Sequence, residues 1–205
     1  DKIYQSDHHV NLVLLQNAPS QNRNAIYAGM QGGGNSMSHT YLSLGTFLLE
    51  ADGVRWATMR GMGSYEWPSY FTRSTYNGRY QYYVTRAEGQ NTLVINPDGT
   101  PDQNMRAHAR VVRSGTSDNE AYGIIDLTQA YAKNVRSAMR GIRLFDNRSR
   151  VVVQDEVEAL APIKEGYWFM HTAAEAQISD NGKTAILFRD GKRLRASIIE
   201  GPQSA

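Results

Sequence analysis

Thr46-Phe47-Leu48-Leu49-Glu50-Ala51-Asp52-Gly53-Val54-Arg55-Trp56-Ala57-Thr58 carries a hairpin. Two short apolar runs flank Ala51-Asp52-Gly53, and Asp-Gly accepts the positive φ angles a tight β-turn demands. The same grammar recurs along the chain. Val10–Leu15, Ala25–Met30, Tyr80–Thr85, Thr92–Asn96 and Ala107–Arg113 are short runs of β-branched, aromatic or alternating residues. Ala121–Asp126, Ile142–Phe145, Val151–Val157, Tyr167–Thr172, Thr184–Phe188 and Leu194–Ile199 extend the series. Turn residues separate many of them, as in Asn96-Pro97-Asp98-Gly99, Asp180-Asn181-Gly182 and Asp190-Gly191. Many short strands with regular turns predict an all-β protein of stacked antiparallel sheets, a β-sandwich or supersandwich.

Two stretches depart from the pattern. Leu127–Met139 has apolar residues at helical spacing, which predicts a helix. Glu66–Gly78 is aromatic, polar and irregular, which predicts a long loop of the kind that often carries function.

The 205 residues suit one domain, 1–205, with its own core. A net charge of +2 does not suggest a nucleic-acid partner. The basic runs Arg140–Arg143 and Lys192–Arg195 read as solvated faces. The absence of cysteine excludes disulfides and thiolate metal sites. It suits the cytosol and a secreted bacterial protein alike. No apolar run is long enough for a membrane helix and no signal peptide is visible. The chain opens on Asp1-Lys2-Ile3-Tyr4, close to a strand, so a processed chain or fragment is expected. The preferred location is the periplasm or the exterior of a bacterium.

Chemistry concentrates first around Gly32-Gly33-Gly34-Asn35-Ser36-Met37-Ser38-His39. A glycine run lets backbone approach a ligand closely. His39, Tyr41 and Ser43 alternate, so an extended chain puts them on one face, either a reactive face or the polar side of an edge strand.

Several ordered motifs resemble the heparinase II/III-like polysaccharide lyases. They are Gly33-Gly34, Ser38-His39, Gly45-Thr46-Phe47, Glu50-Ala51-Asp52-Gly53-Val54-Arg55-Trp56-Ala57 and Glu88-Gly89-Gln90-Asn91-Thr92-Leu93-Val94-Ile95-Asn96. Asp126-Leu127-Thr128, Arg140-Gly141 and Gln154-Asp155-Glu156 continue the likeness more weakly. The resemblance implies the stacked sheets of a protein whose N-terminal α/α toroid lies outside this chain. It implies an acidic polysaccharide as partner, cut by β-elimination beside a uronic acid. In that reaction a cation or polar group neutralises the carboxylate, and tyrosine or histidine moves the protons.

The resemblance also implies which residues act. His39 keeps the family's first histidine, with Tyr76 or Tyr80 as proton-shuttling tyrosine. Arg73 and Arg86 are candidates for the substrate carboxylate, since a guanidinium fork fits it. Gln90, Asn91 and Tyr41 complete the substrate-binding set, with Asn91 orienting a neighbour. The family's zinc ligands are replaced by Tyr41, Met59 and Gln90, and Ser43 stands for a usual aspartate. Tyrosine, methionine and glutamine are poor zinc ligands, so no metal or other cofactor is expected. The alternative function is a non-catalytic carbohydrate-binding or structural sandwich. His171 reads as core-edge structure, Asp155-Glu156 as a structural pair, and His8-His9 as holding no metal.

Overall fold

The computed structural model describes residues 1–5, 10–19, 21–37, 39–73 and 78–201. The strands are β1 (Lys2–Gln5), β2 (Asn11–Gln16), β3 (Tyr27–Gln31), β4 (Gly33–Gly34), β5 (Phe47–Ala51), β6 (Val54–Ala57), β7 (Leu93–Ile95) and β8 (His108–Thr116). They continue as β9 (Ala121–Asp126), β10 (Val135–Phe145), β11 (Arg150–Ala159), β12 (Gly166–Trp168), β13 (Glu175–Ile178), β14 (Thr184–Arg189) and β15 (Lys192–Ser197). One sheet runs β1-β2-β3-β5-β6 and a second β11-β10-β9-β8-β4. A two-stranded sheet, β12-β7, and a three-stranded one, β13-β14-β15, complete the fold. All described pairings are antiparallel.

The two five-stranded sheets bury their inner faces on each other. Along β2, Asn11, Val13 and Leu15 point inward and their neighbours outward; β9 does the same with Ala121, Gly123 and Ile125. The shared core joins Val13, Met30 and Phe47 of one sheet to Ile125, Ile142 and Leu144 of the other. Gly123 lets the sheets meet: a Cβ there would lie 2.5 Å from Val13 Cγ2. The hairpin forms as expected, with Asp52 at φ 54° and Gly53 at φ 73°.

Three local expectations are corrected. Leu127–Met139 is not a helix. Only Thr128–Tyr131 is helical, and Val135–Phe145 is the long strand β10 between β9 and β11. Its inward positions include Ala138 and Arg140, so its period of two was hidden from a hydrophobicity pattern. Arg140 is accordingly no solvated charge: it is 0% exposed and holds Asp155 through Nε (2.7 Å) and Nη2 (2.8 Å). Tyr80–Thr85 is not a strand but part of three successive 3-10 turns, Arg79–Gln81, Tyr83–Thr85 and Ala87–Gly89. Thr85 Oγ1 locks them, donating toward the carbonyls of Arg79 and Tyr82. Gly89 permits the tight return, since a Cβ there would collide with the Tyr83 carbonyl.

Candidate functional site

His39 stands at the mouth of the glycine loop, exposed, in the left-handed region at φ 62°. Such a backbone is uncommon for a residue with a Cβ and needs surroundings that hold it. Arg73 supplies part of that hold, donating to the carbonyls of Ser36 (2.7 Å) and Asn35. Buried Asn35 anchors the loop base through Nδ2 to Asn104 O (3.0 Å) and Gln103 Oε1 (3.2 Å). The imidazole lies against Tyr65 (5.8 Å between centroids) and Phe71 (6.1 Å), both about half exposed at 48% and 57%. Tyr70 backs this aromatic shelf.

The positions where the family has zinc ligands take other partners. Tyr41 shares a hydrogen bond with the Tyr70 hydroxyl (3.0 Å) and accepts one from Gly63 N (3.1 Å). Burial, and then the bond to Tyr41, push the Tyr70 phenol up to about 12. Gln90 is buried and donates to Val84 O (2.7 Å), whereas Met59 is 45% exposed. The Tyr41 phenol and the Gln90 amide are thus taken up by partners within the protein. Among the described residues no group of three or more histidine, cysteine, aspartate or glutamate side chains could hold a metal ion.

Other predicted residues lie apart. Arg86 is engaged by Glu88 (2.6 Å) and Asp102 (3.2 Å), so neither it nor Arg73 offers a free fork. Burial, and then the Asp102 carboxylate, raise Glu88 above the ordinary carboxylate range. Tyr80 is 4% exposed among Leu42, Ala87 and Val94. Tyr76, Ser38 and the His8-His9 pair lie outside the described residues.

A second constellation was not anticipated. The backbone beyond β12 hangs between Thr92 and Thr58, with Phe169 N on Thr92 O and Thr58 N on His171 O. This places His171 over Asn91. Asn91 Nδ2 donates to Phe47 O (2.8 Å) and Thr58 O (3.1 Å), which fixes the amide orientation. Its Oδ1 therefore faces His171 as acceptor, 2.6 Å from the backbone N and 3.1 Å from Nδ1. Nδ1 must then carry the proton, and Nε2 accepts from the Tyr83 hydroxyl at 3.0 Å. Arg60 covers the Tyr83 ring at 5.3 Å. Burial, and then Arg60, hold the His171 pKa below the usual histidine value. Only the aromatic run ending in His171 hinted at this in sequence; Tyr83 and Arg60 carried no signal.

These two clusters stand on stacked sheets that resemble solved polysaccharide lyases in fold. The heparan sulfate lyase HepC from Pedobacter heparinus superposes with a TM-score of 0.75 at 14% identity, covering 97% of this chain and 29% of that one. The Heparinase III-BT4657 gene product gives 0.69 at 15%, covering 95% and 28%. A crystal structure of heparinase III gives 0.61 at 17%, covering 95% and 32%. At such identities the likeness shows the fold alone, and this chain spans less than a third of each. No curated protein sequence matches the chain. The family model "Heparinase II/III-like, C-terminal" matches residues 9–201, and the chain belongs to that family.

Proposed function

We propose that this chain is the sheet domain of a polysaccharide lyase that cleaves a uronic-acid-containing acidic polysaccharide by β-elimination. The observation that carries the reading is His39, exposed on a held left-handed turn beside an exposed aromatic shelf. Aromatic faces stack on sugar rings, and imidazole is the side chain most often used to move protons near neutrality. In the reaction, neutralising the uronate carboxylate acidifies the adjacent C–H. Its proton leaves to a base, the neighbouring C–O bond breaks, a C=C bond forms and the leaving oxygen gains a proton. We assign His39 to this proton transfer, with Tyr76 as its partner by sequence position. Tyr80 is enclosed by its core neighbours, so we assign it no proton.

Heparan sulfate is the first substrate to test, because the Pedobacter protein of the same fold is a heparan sulfate lyase. Incubation with heparan sulfate, hyaluronan or alginate is read by ultraviolet absorbance of unsaturated product. This chain covers 28–32% of the length of the solved lyases, so the chain alone is expected to give little product. A longer protein joining this domain to a helical toroid is expected to give robust turnover, which His39→Ala reduces far more than it reduces stability. Equal losses in both would make His39 structural.

The exposed shelf also favours a second reading, a carbohydrate-binding module. Oligosaccharide binding with no product from any longer form would decide for it. We further propose that the hairpin is zinc-free, on the residue types at Tyr41, Met59 and Gln90. Elemental analysis is expected to find no stoichiometric zinc; a full equivalent lost on Gln90→Ala would overturn this.

A further inference from the structure

Both arginines that sequence pointed to are engaged inside the protein, which leaves the substrate carboxylate without a cation. Arg60 differs. It is exposed, and no carboxylate pairs with it among the described residues. It lies over an aromatic face, an arrangement that supports the flat guanidinium while its N–H fork stays available.

Beside it the Tyr83 hydroxyl has a defined polarity. Asn91 Oδ1 can only accept, so His171 Nδ1 donates to it and His171 Nε2 must accept. The Tyr83 proton is therefore directed inward to Nε2, and the oxygen lone pairs face outward as an acceptor. Tyr83 is 47% exposed, so that acceptor is open to solvent. Met59 and Met62, 45% and 71% exposed, flank Arg60 in sequence and add apolar surface.

A donor fork for a carboxylate next to an oriented acceptor for a hydroxyl matches one ligand chemistry, a sugar acid. We propose that Arg60 and Tyr83, with His171 and Asn91 as positioning residues, form a binding site for the carboxylate and an adjacent hydroxyl of a uronic-acid residue. The proposal rests on the reading that this chain meets acidic polysaccharide, and it supplies the cation that reading lacks.

The test titrates the isotope-labelled 205-residue chain with a hyaluronan oligosaccharide, and with the same oligosaccharide after reduction of its carboxylates to alcohols. The native ligand is expected to move the His171 ring and Arg60 amide signals. Carboxylate reduction is expected to weaken binding about tenfold, the usual weight of a charge-assisted hydrogen bond. Arg60→Gln should erase that difference, and Arg60→Lys should restore part of it. Tyr83→Phe should weaken both ligands several-fold. Both side chains face solvent, and dispersed amide spectra confirm that the variants fold.

The proposal is overturned if the wild-type chain binds neither ligand, if it does not distinguish them, or if Arg60→Gln keeps the preference. Unsaturated product is assayed in parallel. Product formation that ignores Arg60 would leave the lyase reading standing and remove this site. Carboxylate-selective binding with no product from any longer form would remove the lyase reading and leave the site.

Discussion

Arg140 and Asp155 tie the interior of the second sheet to the proposed surface. Besides the two bonds to Asp155, Arg140 Nη1 donates to Gly45 O (2.9 Å) and Asn91 O (3.0 Å). The Arg140 side chain is fully buried and Asp155 is 13% exposed, and in such surroundings leaving one charge alone costs more than the pair contributes. Asp155→Asn is therefore expected to lower stability by about 3 kcal/mol in urea melts, and Arg140→Met by at least as much. A change below about 1 kcal/mol for either would show that water or a neighbour compensates the remaining partner. Tyr70 gives a pH prediction at the same scale. Its folded value, about 12, lies above the ordinary phenol value, so its contribution to stability is whole below pH 10 and is lost as pH rises toward 12. Burial also raises Tyr131 and Tyr27, so alkaline absorbance titration should show a late-ionising group of tyrosines that Tyr70→Phe reduces by one; an unchanged curve would contradict this. The structural role of the Asp155 pair was legible from its place after Val151-Val152-Val153. Its partner was not, because a charge run gives no sign that one member faces inward.

At the scale of elements, the 3-10 run controls the presentation of Tyr83. Three turns follow one another from Arg79 to Gly89, and Tyr83 projects from the middle one. Gly89→Ala would force a Cβ against the Tyr83 carbonyl, so the last turn must open. A stability loss of about 2 kcal/mol or more is expected, in the range of severe backbone misfits, with displaced His171 ring signals as the local readout. Unmoved His171 signals would show that Tyr83 is held by other contacts. Glu88, in the same run, adds a pH dependence. Its raised folded value means its contribution is present below about 4.3 and falls as pH climbs through the folded value. The stability advantage of wild type over Glu88→Gln should thus shrink from acid toward neutral pH; a flat difference would refute the assignment. The β5–β6 hairpin was readable because Asp52-Gly53 requires positive φ whatever packs around it. The 3-10 run was not, since its aromatic spacing imitates a strand and its geometry comes from Thr85 and Gly89 acting together.

At the scale of the molecule, the stacked sheets were the most legible feature, because alternation and turn chemistry act locally and repeat. The assembly of the Arg60–Tyr83–His171 constellation was not legible, because it joins β6's end, the 3-10 run and the segment after β12 through long-range bonds. The same architecture predicts unequal stability. The two five-stranded sheets share one large core, whereas β13-β14-β15 rests on a small cluster of Val54, Trp56 and Leu187. Every residue of β13 is exposed, and in β15 only Leu194 and Ala196 are partly covered. Local opening free energy follows buried apolar contact, so this sheet should open before the sandwich does. Native-state hydrogen exchange is expected to show β14 amides exchanging well before those of β9 and β10, through openings that leave the larger sheets protected. Exchange of β14 and β10 at one common free energy would instead mean that the Trp56 cluster couples the small sheet to the core as a single cooperative unit.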